Sequence, residues 1–238
     1  VLYCLYGIFL STLVVKNYVE FVTVVSMTRT PPVTLIILFL IAVLYLAMSG
    51  IRGLGKWSVL FFILIIVVMS VTIVLGYNYA DWSSLMPLFE AKPTVIFEGA
   101  LKNLAFPYLE TIAMLSLMYS SSKTPSIKKV LLCSIGIGVL MLTVIFVRNL
   151  VIIGAPLMKE SVYPSYQAAR IVRFGDFISR IEGTISFNLI AAGITKTVVC
   201  VMFSAQCAKE IFRLKSMKTM IIPAVIAVFI LSISLGRI

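Results

Sequence analysis

Long apolar segments alternate with short polar ones along the whole chain. Seven segments come close to the roughly 20 residues that a helix needs to cross a bilayer. They cover residues 1–25, 33–50, 57–76, 94–120, 127–153, 183–208 and 218–237. Turn formers and charges separate them, as in MTRTPP at 27–32, SGIRGLGK at 49–56 and SSSKTPS at 120–126. The pattern predicts an all-α integral membrane protein with about seven transmembrane helices and no soluble domain between them.

The composition agrees with this class. Hydrophobic residues make up 61% of the 238 residues and charged residues only 12%, whereas soluble domains carry about 25% charged residues. The net charge of +11 arises from Lys and Arg between the apolar segments, which indicates membrane topology and no nucleic-acid partner. The four cysteines lack CxxC spacing and histidine is absent. We therefore expect buried thiols, no metal site, no cofactor and no enzymatic activity.

Basic residues in the short connections predict the orientation of the spans. One set of alternate connections carries Arg52, Lys56, Lys123, Lys128, Lys129, Lys209, Arg213, Lys215 and Lys218, and the other set carries Arg29 and Lys92. The first set is therefore expected in the cytoplasm. The long connection at 154–183 then lies outside the cytoplasm. Its mixed apolar and charged residues, with Pro164 placed to begin a helix, predict an amphipathic surface segment, favoured over a gate or docking element.

Several ionisable residues fall inside the predicted spans, where they are costly. Lys16 and Glu20 are four residues apart, as are Glu98 and Lys102, so each pair is expected to neutralise itself on one helix face. Arg148 lies near the end of its span, and we expect its long side chain to reach the interface without a functional role.

Lys196 is too deep for that solution, because it lies at the centre of residues 183–208. It needs a partner from another helix or a polar cavity. Thr195, Thr197 and Gly193 beside it supply hydroxyl groups and close helix approach. We therefore favour a functional role for Lys196 over a purely structural bond between helices.

The span at 94–120 is too long for one straight crossing, since its length as a helix is about 40 Å against a core of roughly 30 Å. Pro107 lies at its midpoint and indicates either a simple kink or a discontinuous helix. In a discontinuous helix, carbonyls on one side and amides on the other face a cavity that suits the ammonium and carboxylate of an amino acid. Glu110 would complete that site or carry a proton. The candidate ligand-binding residues are Leu104, Ala105, Phe106, Pro107, Tyr108 and Glu110.

Three stretches resemble the spore germination permease family, the membrane-embedded B subunits of nutrient germinant receptors in endospore-forming bacteria. They are NLAFPYLE at 103–110, YPSYQAARIVRFGDFISRIEG at 163–183 and AAGITKTVVCVMFSAQCAKEIFRLK at 191–215. The resemblance extends over essentially the whole chain. It implies membership of the amino acid, polyamine and organocation superfamily, with a leucine-transporter-like fold of two inverted five-helix repeats.

On that fold the seven spans resemble helices three to nine of ten, and residues 94–120 resemble the broken helix six. Residues 1–238 would then form a single permease-like domain, truncated at both ends. Lys196 resembles the part of helix eight that helps to hold a sodium ion in sodium-coupled relatives. Its ammonium, with Thr195 and Thr197, would stand in for that cation. Leu109 departs from the family pattern, in which a smaller residue is common.

The resemblance implies a receptor subunit that binds a small nutrient of the amino acid class and triggers germination together with other receptor subunits. Its location would be the inner membrane of the spore or the bacterial cell membrane. A proton-coupled amino acid permease and a non-functional truncated remnant are the alternatives. The sequence leaves open which nutrient is bound, whether ions move, and the stoichiometry with partner subunits.

Overall fold

The computed structural model describes residues 1–25, 27, 29–86, 92–103, 108, 110–121, 127–171 and 181–235. Within them the chain forms helices and turns and contains no strand. The helices are α1 (Leu2–Val25), α2 (Pro32–Met48), α3 (Gly50–Gly76), α4 (Pro93–Asn103), α5 (Thr111–Ser121), α6 (Ile127–Glu160), α7 (Pro164–Ile171), α8 (Ile181–Ile211) and α9 (Lys218–Ser234). Two 3-10 turns, Tyr77–Tyr79 and Trp82–Leu85, follow α3. The predicted all-α class is confirmed.

Four of the described helical segments are long and apolar enough to cross a membrane. They are Leu2–Val25, Gly50–Tyr79, Ile127–Glu160 and Gly183–Ile211. The shorter apolar helices Pro32–Met48 and Lys218–Ser234 match two further predicted spans. The protein is thus a multi-pass integral membrane protein, while the inverted-repeat arrangement stays a prediction.

Proline and glycine set several helix boundaries. Pro32 is the first residue of α2, where its missing N–H costs no helical hydrogen bond. Gly50 begins α3 with a φ of 76°, a left-handed conformation that glycine adopts without steric cost. Gly154 interrupts α6 with φ 74° and ψ 160°, two residues before Pro156. This interruption confirms the boundary predicted after residue 153, and Pro164 begins α7 as predicted.

The chain divides into two compact units, and the first contains residues 1–62, 112–123 and 189–238. Its core joins α1, α2, α9 and the part of α8 beyond residue 188. The side chains with no exposed surface include Val15, Val43, Val198, Val201, Met202, Ile221 and Val228. A Cβ added to Gly193 would lie only 2.6 Å from the ring of Tyr18, so this glycine permits close packing of α1 against α8, as predicted.

The second unit contains residues 63–111 and 124–188. Here α6 packs against α7 and against the turn Trp82–Leu85. The Asp81 amide donates to the Val151 carbonyl at 2.8 Å. That carbonyl would normally accept from residue 155, and the interruption at Gly154 releases it for this bond.

Several expectations about polar side chains are wrong. Lys16 does not pair with Glu20, because its Nζ donates to the Leu235 carbonyl at 2.6 Å, at the end of α9. Carbonyls at a helix C-terminus attract a cation, and Glu20 is exposed. Glu98 and Lys102 are also exposed, and the structure shows no ion pair between them although it describes both.

The expectation of four buried thiols is confirmed only for Cys200. Cys4 and Cys207 are half-buried, Cys133 is exposed, and all four are free thiols. The other three cysteines are more exposed because an apolar segment of a membrane protein contains lipid-facing positions as well as core positions.

Candidate functional site

Two helices occupy the overlong predicted span. α4 ends at Asn103 and α5 begins at Thr111. Of the candidate ligand-binding residues, Leu104, Ala105, Phe106 and Pro107 lie outside the described residues, as does Leu109.

Tyr108 and Glu110 are described and both are half-buried. The Thr111 hydroxyl donates to the Tyr108 carbonyl at 2.7 Å, which satisfies one main-chain acceptor just before α5. Glu110 also has an interaction partner. The residue just before the start of α5 is therefore a half-buried glutamate with an interaction partner.

This stretch also connects the two compact units. The division of the chain falls between Thr111 and Ile112, so that α4 belongs to the second unit and nearly all of α5 to the first. Three further divisions fall after residues 62, 123 and 188. The first and the last lie inside the continuous helices α3 and α8, and the one after residue 123 lies between α5 and α6.

Lys196 is the central residue of α8, fifteen positions from Ile181 and fifteen from Ile211. Its side chain is half-buried and has an interaction partner. This fits the expectation that a lysine at this depth requires a partner.

The two neighbouring threonines direct their protons to their own helix. Thr195 donates to the Ala191 carbonyl at 2.8 Å, and Thr197, which has 0% exposed surface, donates to the Gly193 carbonyl at 2.8 Å. With the protons engaged, the hydroxyl oxygens are left as acceptors.

Trp57 is a residue of this region that the sequence did not indicate. Its indole Nε1 donates to Thr195 Oγ1 at 3.0 Å, and its ring lies 4.3 Å from that of Phe61, measured between centroids. One acceptor position of Thr195 is therefore occupied by α3. The tryptophan itself is the signal that could have drawn attention to it, because a buried indole N–H usually has a partner.

Arg148 does not extend to the interface, so that prediction is wrong. The residue is 9% exposed and donates from Nη1 to Thr72 Oγ1 at 2.7 Å. Its Nε and Nη2 donate to Asn149 Oδ1 at 3.2 and 2.6 Å, and Asn149 Nδ2 donates to Ser165 Oγ at 3.0 Å. Polar partners from α3, α6 and α7 make burial of the guanidinium possible.

The carboxyl group of Asp81 lies between the two 3-10 turns, outside the spans. The Ser83 hydroxyl donates to Asp81 Oδ1 at 2.7 Å and the Ser83 amide donates to the same oxygen at 3.0 Å. These two bonds hold the pKa of the Asp81 carboxyl below its usual value, with the hydroxyl bond as the larger cause.

No group of three or more His, Cys, Asp or Glu side chains that could hold a metal ion is found within the described ranges. Within the same ranges, the Arg148 guanidinium donates to hydroxyl and amide oxygens of Thr72 and Asn149.

A family model described as "Spore germination protein" matches residues 1–236. The chain belongs to this family, which confirms the resemblance seen in the sequence. No curated protein and no solved structure matches the chain. Family membership and the membrane-length helices together make it a germination-related membrane protein of the permease type.

Proposed function

We propose that this chain is the membrane-embedded subunit of a nutrient germinant receptor that binds a small nutrient of the amino acid class. The observations that support the proposal are Pro107 at the midpoint of the apolar segment 94–120 and the membership of the chain in the spore germination family. A break at this point releases main-chain carbonyls and amides for a ligand. Binding would then be passed to other receptor subunits and trigger germination.

The ligand class follows from the two kinds of helix end. Carbonyls at a helix C-terminus attract an ammonium group, and amides at a helix N-terminus attract a carboxylate. An amino acid carries both groups. Leu104, Ala105 and Phe106 would supply the first side of the site, and Tyr108 and Glu110 the second.

Lys196 has a separate role in the proposal. Its ammonium, beside the hydroxyl oxygens of Thr195 and Thr197, would replace the cation that coupled transporters bind from solution. The half-buried position at the centre of α8 supports this role. Nutrient sensing would therefore be independent of sodium.

A true permease is the second candidate, and Glu110 favours it. A half-buried carboxylate next to the start of α5 is suited to gain and lose a proton during transport. Uptake of labelled amino acids into vesicles by the complete protein distinguishes the two functions. Accumulation that is driven by a pH gradient and lost in Glu110→Gln would contradict a receptor that only senses its ligand.

The test of the proposed site is Pro107→Ala in the complete protein, with germination measured against nutrient concentration. We expect at least a tenfold higher nutrient concentration for half-maximal response, because alanine permits a continuous helix. Pro93→Ala is the matched control, since Pro93 begins α4 and interrupts no helical hydrogen bond. Equal membrane insertion and an unchanged dose response for Pro107→Ala would refute the broken-helix site.

Lys196→Met tests the cation role with the same assay, repeated over a series of sodium concentrations. We expect the response to be lost or to become dependent on added sodium, because the fixed ammonium is removed. Lys128→Met serves as the control, because Lys128 is an exposed lysine near the start of α6. A normal, sodium-independent response in Lys196→Met would leave the residue with a structural role only.

A further inference from the structure

The second unit contains an apolar cavity of about 340 Å³. Its walls come from the end of α3, the two 3-10 turns with Ala80 between them, and α6. The wall residues used below are Tyr77, Ala80, Trp82, Val144 and Arg148. The volume is within the range of about 300–1,000 Å³ that is typical of small-molecule sites.

The lining restricts the chemistry of an occupant. The cavity is surrounded mostly by aliphatic and aromatic groups, and the Thr143 hydroxyl in its wall donates to the Val139 carbonyl of its own helix. A zwitterion placed here would lose its hydration without gaining matching hydrogen bonds. The occupant is therefore a hydrocarbon group, distinct from the amino acid of the proposed function.

The location indicates where the hydrocarbon comes from. The cavity lies against the last turn of α3 and the turns of α6 that precede Gly154, in two of the helices long enough to cross a membrane. Tyr77 and Trp82 in its wall are 68% and 55% exposed, and such amphipathic rings are enriched at membrane interfaces. At this position the surrounding medium supplies lipid acyl chains.

Arg148 adds a positive charge to the wall of the cavity. Its partners among the described residues are neutral oxygens of Thr72 and Asn149. Neutral partners leave the guanidinium its full charge, and an anion nearby lowers its energy further. Arg148 is six residues before Gly154, which corresponds to about 9 Å along the helix, so that a lipid headgroup at the end of the span is within its field.

We propose that the cavity beside Arg148 binds the acyl chain of an anionic phospholipid, with the headgroup on the side of the guanidinium. The apolar lining selects the chain and the guanidinium selects the negative headgroup. The site would make the second unit sensitive to the lipid composition of the membrane.

Fluorescence quenching of Trp82 by brominated acyl chains tests the proposal. The chain contains two tryptophans, and Trp57→Phe leaves Trp82 as the reporter; any tryptophan elsewhere in the complete protein is replaced in the same way. The protein is placed in phosphatidylcholine vesicles with increasing fractions of dibrominated phosphatidylglycerol or dibrominated phosphatidylcholine. We expect quenching to saturate at an at least fivefold lower fraction of the anionic lipid.

Two substitutions test whether an acyl chain enters the cavity, and a third tests whether the Arg148 charge selects the headgroup. Val144→Phe on α6 and Ala80→Leu after the first 3-10 turn each fill the cavity, and both should remove the saturable part of the quenching. Leu142→Phe is the matched control, because Leu142 is on the same helix, is 46% exposed and does not line the cavity. Asn149→Asp provides Arg148 with its own carboxylate and should abolish the preference for the anionic lipid.

Each contrary result overturns a defined part of the proposal. Identical curves for Val144→Phe, Ala80→Leu and Leu142→Phe would show that no chain enters the cavity. Absence of quenching by both lipids would show that another protein segment fills it. Equal curves for the two lipids in the parent protein would refute the role of Arg148. Gel filtration of each variant identifies any that fail to fold. If one of the two cavity-filling variants does not fold, the other still tests whether an acyl chain enters the cavity.

Discussion

The two compact units accommodate buried polar groups in different ways. In the first unit, the hydroxyl groups of four fully buried residues donate to carbonyls four residues earlier in their own helix: Ser11 to Gly7, Thr12 to Ile8, Thr197 to Gly193 and Ser204 to Cys200. In the second unit, Arg148 is bonded to Thr72, and Asn149 to Ser165, across separate elements.

The difference has consequences for packing. Hydroxyls that are satisfied within one helix leave the surface between helices free for close contact, as at Gly193 and Tyr18. A guanidinium and a carboxamide are larger, and the region around them contains a cavity. The first unit is therefore expected to respond most strongly to added volume, and the second to lost hydrogen bonds.

The largest expected effect is at Thr72 in the second unit. Thr72→Val removes the oxygen that accepts from Arg148 Nη1, and a buried charged donor is left without a partner. We expect the free energy of unfolding to fall by about 1.5–3 kcal/mol. Thr143→Val is the matched control, since its hydroxyl bonds only to its own helix, and should change stability by less than about 0.5 kcal/mol. Unfolding in detergent measures both variants. Equal losses of stability in Thr72→Val and Thr143→Val would show that the bond to Arg148 contributes no more than a bond within one helix.

Gly193→Ala tests the first unit by adding volume. The new Cβ would lie 2.6 Å from the Tyr18 ring, so we expect a loss of about 1–3 kcal/mol in unfolding free energy. The same change at Gly138, where nothing lies within 4 Å, should be neutral or stabilising by up to about 1 kcal/mol because alanine favours a helix. Thermal unfolding of the two variants gives the comparison. A stabilised Gly193→Ala protein would show that α1 and α8 are not closely packed at this point.

Lys16→Met probes the single charged contact described in the first unit between α1 and the end of α9. Loss of the bond from Nζ to the Leu235 carbonyl should loosen the last turn of α9 at a cost of about 0.5–1 kcal/mol. Faster hydrogen exchange of amides 231–235 is the expected result. Lys56→Met, outside this contact, should leave that exchange unchanged. Unchanged exchange in Lys16→Met would exclude a capping role for the ammonium.

The smallest effect is expected at the 3-10 turns of the second unit. Because the pKa of Asp81 is lowered by Ser83, the carboxylate contributes stability to the turn above its unfolded value of about 3.9, and this contribution is lost as the pH falls through the folded pKa. Ser83→Ala removes the larger cause and should raise the pKa towards the ordinary value. The carboxyl carbon shift of labelled Asp81, followed by NMR titration, measures it, with Ser84→Ala as the control. An unchanged titration would assign the lowered pKa to another cause.

Much of the fold could be predicted because it depends on local properties of the chain. Membrane length and hydropathy place the spans, and Pro32, Gly154 and Pro164 mark boundaries that the structure confirms. The candidate ligand site was predictable only as a break near Pro107. Four of its six residues lie outside the described part of the chain, and its role in binding stays a prediction.

The sequence by itself determined the membrane class, the approximate spans and the germination family, since hydropathy and motif are properties of neighbouring residues. It also predicts a helix break at Pro107. Only the tertiary structure decided the partners of the buried cations. Lys16 bonds to α9 instead of Glu20, and Arg148 bonds to Thr72 instead of reaching the interface. The physical reason is that a buried charge is satisfied by the acceptors that neighbouring helices bring to it, and those acceptors are distant in the chain.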